Sequence, residues 1–130
     1  MRTFKLQIIT LKGREEKEII HLKLRDESGF FGIMAGHIDF LTIVEPGIGE
    51  YLDHKNQKFF IATDSGFFFF RSGIATLAVY EFFEGTSPEE LSALIAEQIR
   101  KRKIAEARYR KLITEIEETF IKRALEIYRI

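Results

Sequence analysis

The chain contains no cysteine, and that one absence excludes disulfides, Cys-ligated zinc, iron–sulfur clusters and thiol nucleophiles together. Tryptophan is missing too, and there are only two prolines. No apolar run approaches the ~18–20 residues that a membrane-spanning helix requires. Net charge is also lacking: 20 Lys and Arg balance 20 Asp and Glu, so no global field draws the chain to nucleic acid or anionic lipid. The opening MRTFKLQIITL has neither the apolar core of a signal peptide nor the Ser/Arg bias of a transit peptide. A cytoplasmic or membrane-peripheral protein is expected, with no direct membrane insertion.

Catalytic patterns are absent as well. His21, His37 and His54 fall on a strand, a loop and a turn, without H-x-x-x-H or H-E-x-x-H spacing. There is no G-x-x-x-x-G-K-[ST] phosphate loop and no G-x-S-x-G elbow. GHIDF offers a His and an Asp two apart, but no serine on a strained turn accompanies them. Asp64-Ser65-Gly66 reads as a strand-end turn. No catalytic residue, metal or cofactor is expected. The basic run Arg100–Lys103, with Arg108, Arg110 and Lys111, interleaves with Glu97, Glu106, Glu115, Glu117 and Glu118. Such interleaving marks a solvated, salt-bridged helix face rather than a nucleic-acid site.

What is present is phenylalanine, thirteen of them, and an apolar pattern whose period changes once near Thr86. Before that point the period is two. Phe4, Leu6 and Ile8 alternate with polar residues, as do Ile20, Leu22 and Leu24. Strand-like runs recur at Ile38–Val44, Ile48–Leu52, Lys58–Thr63, Gly66–Arg71 and Ile74–Phe83, with hairpin turns at Asp53–Gln57 and Arg71–Gly73. Short strands without intervening helices predict an antiparallel β-sandwich, or flattened barrel, of about ten strands over residues 1–85. In GFFFFRSG a strand puts two phenylalanines on each face: one pair fills the core, the other meets a second layer or solvent.

After Thr86 the period becomes helical. Ser87 can cap, Pro88 suits the first helical position, and Glu90 completes an S-x-x-E capping box. Leu91, Leu94, Ile95 and Ile99 form one stripe; Tyr109, Leu112, Ile113, Ile116, Phe120, Ala124 and Ile127 form another. Two antiparallel helices bent near Arg100–Lys103, spanning residues 87–130, are the first expectation. One continuous helix of roughly 60 Å is the alternative. The class is therefore α+β, a sandwich followed by a two-helix domain.

Within Glu27–Gly47, ESGFFGIMAGHIDFLTIVEPG, two glycines bracket an apolar run and His37 follows the second. This stretch resembles the signature of the epsilon subunit of rotary ATP synthases: acidic-x-G-x-x-G-I-x-P-G-H-x-P-L-L-T, then Pro-Gly. Gly29, Gly32, Ile33, Gly36, His37, Leu41, Thr42, Pro46 and Gly47 occupy matching places. The likeness continues through DSGFFFFRSGIATLAV into the charged helical tail. Ala35 and Asp39 replace two prolines of the pattern. These changes, the opening MRTF and the absence of a mid-tail glycine resemble the alternate, sodium-type branch of the family.

The resemblance implies a central-stalk subunit without catalytic residues, peripheral at the cytoplasmic face of a membrane. One sandwich face would bind the gamma subunit. The Gly-bracketed loop would seat on the membrane rotor ring of c subunits through Phe30, Phe31, Met34, His37 and Asp39. On the plain reading of the residues, His37 is instead a histidine satisfied within its own domain. The tail would contact the alpha and beta subunits through Arg100, Lys101, Arg102, Lys103, Arg108, Arg110 and Lys111 and hold back hydrolysis; the plain reading is a solvated, i,i+4-paired face. Some relatives bind ATP through [IL]-D-x-x-R-A. Here the nearest match, IAEARY, has Ala105 for the aspartate and Tyr109 for the last alanine, so no tight ATP binding is expected. The alternative function is a free-standing sandwich adaptor that dimerises through a coiled-coil tail.

Overall fold

Alternation decides where the strands run, and a bulge decides how they close on themselves. The structure, a computed structural model, describes residues 2–128, with Tyr128 described by its backbone alone. Nine strands come first: β1 (Phe4–Thr10), β2 (Gly13–Asp26), β3 (Gly29–Met34), β4 (Phe40–Val44), β5 (Gly47–Asp53), β6 (Lys58–Thr63), β7 (Gly66–Arg71), β8 (Ile74–Val79) and β9 (Phe82–Gly85). One helix, α1 (Pro88–Tyr128), follows. The N-terminal β-sandwich and the C-terminal helical segment are thus both present. Among the described residues the strand count is nine rather than about ten. The run expected at Ile74–Phe83 divides at Tyr80 and Glu81 into β8 and β9, which pair with β7 and β6 respectively.

β2 organises the sandwich. Its first half pairs with β1, from Thr10↔Gly13 to Phe4↔Ile19, and its second half with β3 and β5. The register shifts between Ile19 and His21, which makes Ile20 a bulge residue. A bulge bends its strand and sharpens the local twist, so one strand can serve both layers. From β2 the ladder runs through β5, β6 and β9 in one direction and through β1, β8, β7 and β4 in the other. The pair Asp26↔Val44 returns β4 to β2. All pairings are antiparallel except β1–β8, which is parallel and corrects the purely antiparallel expectation. The charged first half of β2, Gly13–Glu18, was outside the expected strands because GREEKE has no apolar residue to alternate. Pairing with β1 and ion pairs hold it: Lys17 Nζ lies 3.1 Å from Glu84 and 3.3 Å from Glu15. Burial pulls the Lys17 pKa down, but the two carboxylates outweigh it and leave the group above its ordinary value.

The expected helix start is found. The Glu90 N–H donates to Ser87 Oγ (3.4 Å), and the Leu91 N–H donates to the Ser87 carbonyl (3.2 Å). The expected pair of helices is not. α1 passes through Arg100–Lys103 without a break, which corrects the hairpin in favour of the continuous alternative. The physical reason lies in the residues at the supposed bend: arginine and lysine are good helix formers, and no Gly or Pro interrupts the backbone ladder. Arg102 and Arg110 also reach Glu106 at 3.6 and 3.7 Å, both at i,i+4 spacing. The chain divides into two compact units, one ending at Glu97 and the other beginning at Gln98. Leu91 and Ile95, in the first unit, are buried, and Leu91 takes up the space beside Gly85.

The core of the first unit gathers the inward positions of the strands: Phe4, Leu6 and Ile8 of β1, Leu22 and Leu24 of β2, Ile33, Val44, Tyr51, Ile61, Phe68, Phe70 and Leu77. The four phenylalanines of β7 alternate: Phe68 and Phe70 are 0% and 2% exposed, Phe67 and Phe69 59% and 41%. Phe70 meets the ring of Phe4 edge-on at 5.7 Å. Phe68→Ala is therefore expected to cost about 3–5 kcal/mol through the cavity it leaves. Phe67→Ala should stay within about 0.5 kcal/mol, as for exposed sites generally. Urea unfolding of the two variants checks this directly; equal losses would refute the alternation.

Candidate functional site

An exposed apolar block stands on the outward side of β4 and β7. The register sets Leu41 opposite Phe69 and Ile43 opposite Phe67, and Phe67 is followed across β8 and β1 by Ala78 and Ile9. Leu41, Ile43, Phe67 and Phe69 are exposed, while Phe68, Phe70 and Val44 on the opposite side are buried. Gly66 permits this close pairing, because a Cβ there would collide with the Ala78 carbonyl oxygen and the Val79 side chain. Arg71 closes the outward row of β7, and Lys5 stands beyond it across Ile74. Single exposed apolar residues are ordinary, whereas these four lie in cross-strand register and form one contiguous apolar patch.

A second cluster lies around β3 and the segment after it. The Gly-bracketed stretch, expected to be a loop, is mostly strand: Gly29–Met34 pairs with β2, and the loop proper is 35–39. Phe30 and Met34 point outward at 62% and 57% exposure. Phe31 turns inward, with ring centroids 5.3 Å from Phe40 and 5.5 Å from Phe68. Asp39 is exposed. Gly36 has φ +86°, a backbone conformation that other residues adopt only with strain. His37 is tied within its own loop. Its N–H donates to the Met34 carbonyl (3.1 Å), and its Nδ1 lies 2.7 Å from the Ile38 carbonyl. A carbonyl only accepts, so the Nδ1 carries the proton. The ring also packs edge-on against Phe40 and Phe70, at 5.8 and 5.9 Å. Residues not foreseen as contacts are the most exposed here: Ile38 at 78% and Leu41 at 70%. The run Ile38–Val44 reads from sequence as a strand, and composition alone does not tell its exposed face from its buried one.

Asp26 holds this end in place. Its carboxylate accepts from the Ser28 N–H (2.9 Å), Ser28 Oγ (2.5 Å) and Thr42 Oγ1 (2.8 Å). It thereby joins the β2–β3 turn to β4. Hydrogen bonds from Ser28 and then Thr42 keep the carboxyl below its ordinary pKa.

In the second unit the basic residues do not share a face. Arg100, Lys101, Arg102 and Lys103 span a full helical turn, so they point in every direction around α1. Arg108 and Lys111 lie further along, and Arg102 and Arg110 flank Glu106. Tyr109, Leu112, Ile113, Ile116, Phe120 and Ile127 are exposed, since a lone helix has nothing of its own on which to bury a stripe. Among the described residues no group of three His, Asp or Glu could hold a metal ion, and no helix is long and apolar enough to cross a membrane.

A family model described as ATP synthase, Delta/Epsilon chain, beta-sandwich domain matches residues 3–84. A protein named ATP synthase epsilon chain 2 from Paraburkholderia xenovorans is 35% identical over 91 residues, which cover 69% of this chain and 65% of that one. One of the same name from Cereibacter sphaeroides is 30% identical over 85 residues, covering 65% and 58%. The matches thus span less than two thirds of these relatives' length. Among solved structures, a chain of the Euglena gracilis mitochondrial ATP synthase, determined with its OSCP, F1 and c-ring, superposes with a TM-score of 0.59 at 20% identity. That match covers 71% of this chain and 61% of that one. A chain from the central stalk and c-ring of the Tetrahymena thermophila enzyme gives 0.51 at 12%, over 63% and 66%. These two likenesses concern the fold.

Because the lowered pKa belongs to the folded state, Asp26 stabilises the fold above the ordinary carboxylate pKa of about 3.9, and loses that contribution as pH falls through its depressed value. Asp26→Asn should therefore lower the melting temperature at neutral pH. The gap to the parent should close as the pH drops below about 4. A gap that stays constant down to acid pH would separate Asp26 from this role.

Proposed function

The chain belongs to the ATP synthase delta/epsilon chain family, and from that membership we propose that it is the epsilon-type central-stalk subunit of a rotary ATPase, coupling ATP turnover to ion transport. The observation that carries the reading is the apolar block Leu41, Ile43, Phe67 and Phe69, an exposed surface on a sandwich that already has a complete core. It suits a lasting contact with gamma. The end of the sandwich near the 35–39 loop, with Phe30, Met34, Ile38 and Asp39 exposed, would seat on the rotor ring at the cytoplasmic face of the membrane. Phe31 and His37 would support that contact from behind, through Phe40, Phe68 and Phe70. Both curated relatives are named as a second epsilon chain, which suits the alternate, sodium-type branch.

The helix supplies the regulatory part of the reading. Its exposed stripe needs a surface to cover it, and alpha and beta would provide one, with Lys101, Lys103, Arg108 and Lys111, which form no ion pair among the described residues, as the contacting cations and Arg100, Arg102 and Arg110 beside them. The same stripe favours the second reading, a coiled-coil dimer, because Tyr109, Ile113, Ile116, Phe120 and Ile127 follow a spacing close to a heptad.

Two experiments test these assignments. Co-expressed with gamma and ring subunits, Phe67→Glu should abolish capture by gamma, because an unpaired buried charge costs several kcal/mol. Phe30→Asp should spare gamma capture and uncouple ATP hydrolysis from ion transport in vesicles. A stable homodimer indifferent to gamma would support the adaptor instead. Truncation after Glu97, which keeps the buried Leu91 and Ile95, should leave the sandwich folded and raise hydrolysis by the assembled complex. Unchanged hydrolysis would remove the regulatory role.

A further inference from the structure

One other surface of the sandwich lacks internal partners, and its chemistry differs from the apolar block. The β2–β3 register sets His21, Lys23 and Arg25 beside Met34, Gly32 and Phe30. All six point outward, since the alternating residues Leu22, Leu24 and Ile33 are buried. Lys23 stands opposite Glu50 across β5, but Lys58 engages Glu50 at 3.6 Å. The Lys23 ammonium lies instead over the Phe30 ring, 4.8 Å from its centre. Asp26 is turned onto Ser28 and Thr42. Among the described residues Lys23 and Arg25 form no ion pair.

Beside this basic column runs a bare edge. β3 pairs with β2 and with no other described strand. Its sequence, GFFGIM, has no charge and no proline, the usual means by which an edge strand avoids unwanted pairing. Gly32, at its middle, is exposed, and only the His21 imidazole comes near the place a side chain would fill (3.3 Å).

We propose that the β3 edge is a strand-addition site for an extended, acidic segment of a protein partner. The incoming backbone would pair with the unpaired N–H and C=O groups of β3, the usual source of affinity in strand addition. An acidic side chain opposite Gly32 would reach across the gap to Lys23. Two strand spacings, about 10 Å, separate those positions, a distance that a glutamate and a lysine side chain together can span. Phe30 and Met34 would flank it with apolar contacts. An anionic bilayer would answer the cations but leave the backbone edge unpaired, so it fits less well. Phe30 and Met34 also belong to the end of the sandwich that would seat on the rotor ring, so the segment and the ring would compete for them, and the edge is open to the segment in the chain free of the ring.

The test uses the full chain, a short peptide of alternating threonine and glutamate, and its threonine–lysine counterpart. Amide shifts on titration should report binding of the glutamate peptide along Gly29–Met34 and His21–Arg25, and the lysine peptide should not bind. Lys23→Glu with Arg25→Glu should weaken binding at least about tenfold, the scale of a close charge pair. Lys23→Gln with Arg25→Gln should weaken it less, with unchanged circular dichroism in both. Equal binding of the two peptides, shifts centred on β4 and β7, or no binding would overturn the proposal. Phosphatidylserine vesicles that bind where the peptide does not would overturn it too.

Discussion

β2 has to belong to two layers at once, and the rest of the sandwich follows from how it does so. A regular strand of this length would continue in one sheet. The bulge at Ile20 lets Gly13–Ile19 pair with β1 while His21–Asp26 pairs with β3 and β5. The bend brings Asp26 to the junction where β3, β4 and β2 meet. There its carboxylate can satisfy the Ser28 turn and Thr42 together, which fixes the entry to β3 and the line of β4. The exposed end of the sandwich is thus a consequence of one irregular residue some distance from it.

Much of this was legible in the sequence, for a reason that also explains the misses. Where one face is buried and the other wet, period-two alternation announces the strand, as in β1 and the second half of β2. The inner and outer pairs of GFFFF follow from the same rule. The rule fails where both faces have the same character. GREEKE is polar on both sides and is strand by pairing and charge alone. GFFGIM is apolar on both sides, so β3 reads as a Gly-hinged loop rather than an edge strand. The exposure of Ile38, Leu41 and Ile43 is hidden in the same way, because an exposed apolar face and a buried strand have the same composition. Register distinguishes them, and register is set by pairing that no local window contains.

The helix presents the opposite case. Nothing in Arg100–Lys103 favours a turn, and the expectation of a bend rests on two apolar stripes read as two helices. Periodicity shows which residues share a face, not whether that face folds back. Local propensity argues for continuity, and within its own unit the helix has no second element on which to bury Leu112, Ile116 and Phe120. Its apolar stripe is therefore left exposed within that unit.

The outward surfaces of the sandwich differ in what they ask of a partner. The block on β4 and β7 offers area without directional bonds. Contacts there are retained through apolar burial, at about 25 cal/mol per Å², and tolerate small shifts in position. The edge of β3 offers backbone groups at a fixed spacing and a column of cations beside them. Binding there is all-or-none in register, because a one-residue slip turns every incoming side chain to the wrong face. It also weakens with salt where its charges meet water. The apolar block is thus suited to lasting attachment, and the edge to recognition of one segment in one alignment. Both follow from a strand order in which β7 is paired on each side, β4 along β7 and at Val44 alone on its other side, and β3 along β2 only.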